Sequence, residues 1–85
     1  PLDGRSNGTF VAFPAGFSGE IRSHGAAVRA VVIEGRLQYL GTETKTLDPG
    51  SYFGSRGSYV HRIASVAGEK CILYVRSDGQ YELAN

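Results

Sequence analysis

The chain of 85 residues has no methionine, no tryptophan, one cysteine and three prolines. A single cysteine excludes an internal disulfide, the usual staple of a small domain, and leaves oligomerisation or a metal to supplement a modest core. The formal net charge is only +1, and the Lys and Arg residues are scattered along the sequence, so no electrostatic footprint for nucleic acid is visible. The longest apolar run, Ala30-Val31-Val32-Ile33, is far too short to span a bilayer, and no signal peptide is present. A soluble protein with no membrane partner is expected, its compartment left open. A chain that starts at Pro1 without a methionine reads as a processed product, a fragment, or a domain of something longer. No window carries a sustained helical period with caps, and there is neither an internal repeat nor a low-complexity tract.

What is present is the punctuation of an all-β chain. Twelve glycines separate short segments rich in Val, Ile, Tyr, Phe and Thr, which predicts strands at 9–13, 19–24, 28–34, 36–40, 43–47, 51–53, 59–66, 71–76 and 80–83. Residues 1–8 read as a flexible lead-in and 9–85 as a single domain. Asp78-Gly79 is the strongest hairpin signal, because both residues tolerate positive φ. The two-residue period of a strand puts Glu20, Arg22 and His24 on one face, a polar row that either lines a pocket or coats the outside of a sheet. The segment 28–34 is apolar on both faces apart from Arg29, and Cys71, Leu73 and Val75 alternate with Ile72 and Tyr74. Two-sided burial calls for a second layer, which in so short a chain predicts a homodimer.

The only two histidines, His24 and His61, stand in two distinctive stretches. The first runs from Gly19 through Glu20, Arg22 and His24 to Val31-Val32-Ile33-Glu34-Gly35, and the second from Pro49-Gly50 to His61. Both resemble the signature motifs of the cupin superfamily. The first family motif is Gly, five residues, His-x-His, three or four residues, Glu, six residues, Gly. Counting back eleven places from Gly35 puts His24 on the second histidine, Arg22 on the first and Val28 on the glutamate. In the second motif Gly50 and His61 match, with Arg56, Ser58 and Ser65 in the places of proline, glycine and asparagine. Phe13-Pro14-Ala15-Gly16-Phe17, Asp48-Pro49-Gly50-Ser51-Tyr52-Phe53 and Leu73-Tyr74-Val75-Arg76-Ser77-Asp78-Gly79 are similar to a subgroup near the ChrR-type anti-sigma cupins. The resemblance implies a small antiparallel β-barrel or jelly roll, commonly dimeric, with a pocket near its open end that holds a divalent metal on three histidines and a glutamate.

Two of those four ligand positions are kept, which shapes the expected chemistry. Catalytic metal centres generally take at least three protein ligands, whereas Arg22 stays protonated and repels a cation, and Val28 has no lone pair. Replacing a ligand by arginine suits a different guest, since a guanidinium grips a carboxylate or phosphate with paired hydrogen bonds. Arg22, His24, Tyr59 and His61, with Glu20 on the same face as Arg22, are the expected ligand-binding residues for a small molecule, anionic in character. The alternative for Arg22 is a structural ion pair with Glu20. A second function class stays open, a metal-dependent enzyme of dioxygenase or isomerase type with His24 and His61 as ligands to Zn, Fe, Mn or Ni and Glu20 or Cys71 as a third donor. A third is a scaffold barrel whose pocket has decayed. Cys71 reads as a core residue, and no acid is placed to orient a histidine beside Ser23 or Ser58 for nucleophilic catalysis.

Overall fold

The computed structural model describes residues 7–84. Most of the expected lead-in lies outside the described residues, and Asn7 and Gly8 already open the first strand. Nine strands follow in order: β1 (Asn7–Phe13), β2 (Ser18–Ser23), β3 (Val28–Glu34), β4 (Leu37–Leu40), β5 (Thr44–Leu47), β6 (Tyr52–Ser55), β7 (Tyr59–Ser65), β8 (Cys71–Ser77) and β9 (Tyr81–Ala84). They form a four-stranded sheet, β1-β8-β3-β6, facing a five-stranded sheet, β5-β4-β7-β2-β9. Every paired strand runs antiparallel to its neighbour. The expected all-β, antiparallel jelly roll is therefore what forms.

The core lies between the sheets and is built by strict alternation. Ile21, Val28, Ala30, Val32, Leu37, Ile63, Cys71, Leu73 and Val75 point inward and are at most 1% exposed, while their strand neighbours face out. Cys71 is accordingly a core residue, and burial pushes its thiol pKa up. A bulge between Val32 and Glu34 breaks the β3–β8 register and is followed by Gly35, whose φ of 76° favours glycine. A Cβ there would also meet the Lys70 carbonyl oxygen at 2.0 Å, so this glycine allows β3 to turn beneath β8.

One turn differs from expectation. Asp78-Gly79 does not close a hairpin, because β8 pairs with β1 and β3 whereas β9 pairs with β2 in the other sheet. The turn carries the chain between sheets, and Asp78 is spent on the β2–β3 connection: its Oδ1 accepts the Ala27 N–H at 2.7 Å and its own N–H donates to the Ala27 carbonyl. Only β4 and β5 are both consecutive and paired among the described strands.

The outer face of the four-stranded sheet retains the apolar character read from 28–34 and 71–76. Cross-strand register lines up Phe10, Tyr74, Val31 and Tyr52 in one row, and Phe10 and Tyr52 are 66% and 76% exposed. Leu73, at the centre of β8 between β1 and β3, is among the largest wholly buried side chains. Leu73→Ala is expected to lower stability by about 2–5 kcal/mol in a urea titration, against less than about 0.5 kcal/mol for Thr46→Ala on the exposed face of β5.

Candidate functional site

The pleat of β2 decides where the expected site residues go. Ile21 is wholly buried and Ser23 is 2% exposed, so these two face the interior, and Glu20 and Arg22 face out. His24 follows the end of the strand on the same outer side, with its side chain 61% exposed. Outside the barrel these residues neutralise one another. Arg22 donates to Glu20 at 2.8 Å and lies 3.7 Å from Glu82, His24 lies 3.4 Å from the same Glu82 oxygen, and Arg62 approaches Glu20 at 3.5 Å. The ion pair of Arg22 with Glu20 is the arrangement that forms, and exposed pairs of this kind contribute at most about 1 kcal/mol each.

The correction to the motif register is a single residue. Counting a three-residue gap before Val28 selects Arg22 and His24, but a four-residue gap selects Ile21 and Ser23, and it is these that share the inner face with Val28 and His61. A one-residue slip moves every side chain of a strand to the other face. His24 and His61 therefore stand on opposite sides of the five-stranded sheet and do not converge on a metal, and Arg22 and Glu20 do not line the pocket that holds His61. Ser23 has its own structural duty, donating its hydroxyl to the Gly57 carbonyl at 2.7 Å.

His61 is the one imidazole enclosed in the interior. It sits on β7 opposite Ile21 and is 1% exposed. The Tyr39 hydroxyl from β4 meets Nδ1, and the Ser55 hydroxyl from β6 meets Nε2 at 2.8 Å. Each hydroxyl can donate or accept, so the neutral ring is satisfied in either tautomer. Three rings surround the imidazole, Tyr59 at 4.7 Å, Phe53 at 5.1 Å and Tyr39 at 5.7 Å between centroids. Tyr59 is brought to His61 as expected and, at 51% exposure, stands at the mouth. Burial lowers the His61 pKa from its ordinary 6.5, and burial together with the neighbouring Tyr59 raises that of Tyr39. Beside this cage a cleft of about 470 Å³ is lined by Ala27, Arg29, Tyr52, Phe53, Gly54, Ser55 and Arg56, so Ser55 touches both the cleft and the imidazole.

Tyr39, Phe53 and Ser55 are the site residues that sequence reasoning missed. Alternation from Leu37 would have turned Tyr39 inward, but the strand expected at 51–53 stops short of Ser55, whereas β6 runs on through Gly54 and Ser55. Among the described residues no three His, Cys, Asp or Glu side chains cluster to hold a metal ion. The donor set does not fit the metal centre that the cupin resemblance implies, because His61 is the one histidine inside and both of its nitrogens are engaged by hydroxyls. No helix among the described residues is long and apolar enough to cross a membrane.

Residues 1–84 match the family described as Domain of unknown function (DUF4437). The chain belongs to the DUF4437 family. Solved structures with a cupin fold are similar to this chain. The Schizosaccharomyces pombe Cnp3 cupin domain is similar at TM-score 0.79 and 15% identity, over 94% of this chain and 57% of that one. DMSP lyase DddQ from Ruegeria pomeroyi DSS-3 is similar at TM-score 0.77 and 19% identity, over 92% of this chain and 40% of that one. KdgF from Halomonas sp. is similar at TM-score 0.74 and 17% identity, over 94% and 76%. The DUF4437 chain thus spans about half the length of the first two, and identities this low carry the fold alone. No curated protein matches the chain. A cupin barrel is an architecture suited to holding small molecules, and no subgroup within the superfamily is assigned by these likenesses.

The buried neutral imidazole sets a pH dependence. Unfolding lets His61 take a proton at its ordinary pKa, whereas the folded state resists protonation, so its contribution is fully present above pH 6.5 and is lost as pH falls below it. Urea stability measured at pH 7, 6 and 5 is expected to decline, with a shallower decline in His61→Gln. An equal slope in the variant would assign the effect elsewhere.

Proposed function

We propose that the domain binds or senses a small molecule at the barrel mouth over His61, without a resident metal. The observation that carries this reading is a buried, neutral imidazole whose two nitrogens contact movable hydroxyls, inside a ring of aromatic side chains and next to an open cleft. A guest carbonyl or hydroxyl can replace Ser55 at Nε2 at little cost, because the exchanged bonds are alike, while Tyr59 and Phe53 cover its apolar part. The loss of two of the four expected ligand positions favours binding or sensing over catalysis. An anionic guest would need a cation other than Arg22, which is paired outside the barrel; Arg29 and Arg56, on the cleft wall, are the candidates. The exposed Phe10, whose ring lies 4.9 Å from Tyr74 at the β1 edge, supports the homodimer expected from the two-sided strands, with a second copy covering that β1–β8 edge.

The test is a fragment screen by NMR, using carbonyl- and hydroxyl-bearing fragments and reading the His61 imidazole and Tyr59 ring resonances, together with metal analysis of protein purified without added metal. Binding that survives EDTA and weakens about tenfold or more in Tyr59→Ala is expected. Stoichiometric iron, zinc, manganese or nickel that is lost in His61→Ala would overturn the metal-free reading, and fragments that leave both resonances unmoved would overturn the site. Sedimentation is expected to show a dimer at micromolar concentration that Phe10→Lys dissociates.

A further inference from the structure

The arginines scattered along the sequence gather at one end of the four-stranded sheet. Arg29 on β3 and Arg76 on β8 are direct cross-strand partners, both exposed on the outer face. The same row continues to Gly8 on β1 and to Gly54 on β6, so the two guanidinium stems are flanked by positions with no side chain. Like charges placed directly opposite each other destabilise a sheet. Four of the other cations are answered by carboxylates, Arg22 and Arg62 by Glu20, Arg36 by Glu69 and Lys70 by Glu34, while Lys45 on β5 has no ion pair among the described residues. Arg29, Arg56 and Arg76 have no ion pair or hydrogen bond among the described residues.

Two clefts meet at Arg29, and Arg76 lines the smaller of them. The larger, of about 470 Å³, has Arg29 and Arg56 on its wall with the exposed Tyr52 ring beside them. The smaller, of about 230 Å³, is lined by Ala27, Arg29, Arg76, Ser77 and Asp78. Asp78 is the one carboxylate in that lining, and its Oδ1 already accepts the Ala27 N–H, so the patch keeps a net positive charge.

We propose that this end of the sheet is an anion site for a small ligand carrying a dianionic phosphoryl group, held between Arg29 and Arg76 with Arg56 at the margin and Tyr52 under the organic part. A tetrahedral dianion offers enough oxygens for two guanidinium forks at once, and it converts the repulsion of the arginine pair into attraction. The arginine pair lies on the outer face, so the site shares with the reading of the His61 cage only the wall of the larger cleft and Arg56.

Isothermal titration with inorganic pyrophosphate in 50 mM salt tests the assignment, using the full chain and Arg29→Gln, Arg76→Gln and the double variant, with Arg36→Gln as a control whose guanidinium is paired to Glu69. Each single change is expected to weaken pyrophosphate binding about tenfold, the double change to abolish it, and Arg36→Gln to stay within about twofold. Wild-type affinity should fall as salt is raised. Without ligand, Arg29→Gln should melt no lower than wild type, because it removes a like-charge contact. Wild-type binding retained in the double variant would overturn the site, as would retention of a single-stranded oligonucleotide by a protein that ignores pyrophosphate. Fragment binding is read separately at the His61 and Tyr59 resonances, because the arginine variants leave every contact of the imidazole in place.

Discussion

Strand β2 is hydrogen-bonded on both sides, to β7 and to β9, so its two-residue period cannot slip without unpairing both neighbours. Ile21, wholly buried opposite His61, decides which side of that strand faces in. The rest of the molecule's chemistry follows from this choice. Ser23 goes inward to tie down the loop before β7, Glu20 and Arg22 go outward into an ion-pair network with Glu82 and Arg62, and His61 is left as the single imidazole of the interior.

The two sheets consequently present different surfaces. On the five-stranded sheet, acids and bases alternate across β7, β2 and β9, and the charges are met within the face itself. On the four-stranded sheet, an aromatic and aliphatic row lies beside an arginine row with no carboxylate partner among the described residues. Between them the interior is apolar at its centre and hydroxyl-lined at one end, where Tyr39 and Ser55 complete the imidazole. Polar atoms buried in this way stabilise a barrel only when each has a partner, and among the described residues no buried side-chain nitrogen or oxygen lacks one.

Strand placement was legible because alternation and glycine-rich turns are local signals, and it follows the sequence closely except at β6. Strand pairing was not, since in a jelly roll most partners are distant in the chain; a turn such as Asp78-Gly79 shows that the chain reverses but not which sheet receives it. The cupin resemblance located β2 and β7 and picked out His61 correctly as a member of the inner face. It misplaced Arg22 and His24 because the loop before Val28 can hold three or four residues, and that one residue exchanges inside for outside. Tyr39 and Ser55 reach His61 from two other strands, and Arg29 meets Arg76 only through β3–β8 pairing, so no spacing along the chain could announce either group.

Cys71 gives the barrel one more property. It carries the only sulfur atom in a chain without methionine, sits fully enclosed on β8, and is kept in its thiol form by burial. Peroxides and alkylating electrophiles attack exposed thiolates and thioethers, and the folded domain offers them neither, so its sulfur is chemically silent until the two sheets separate.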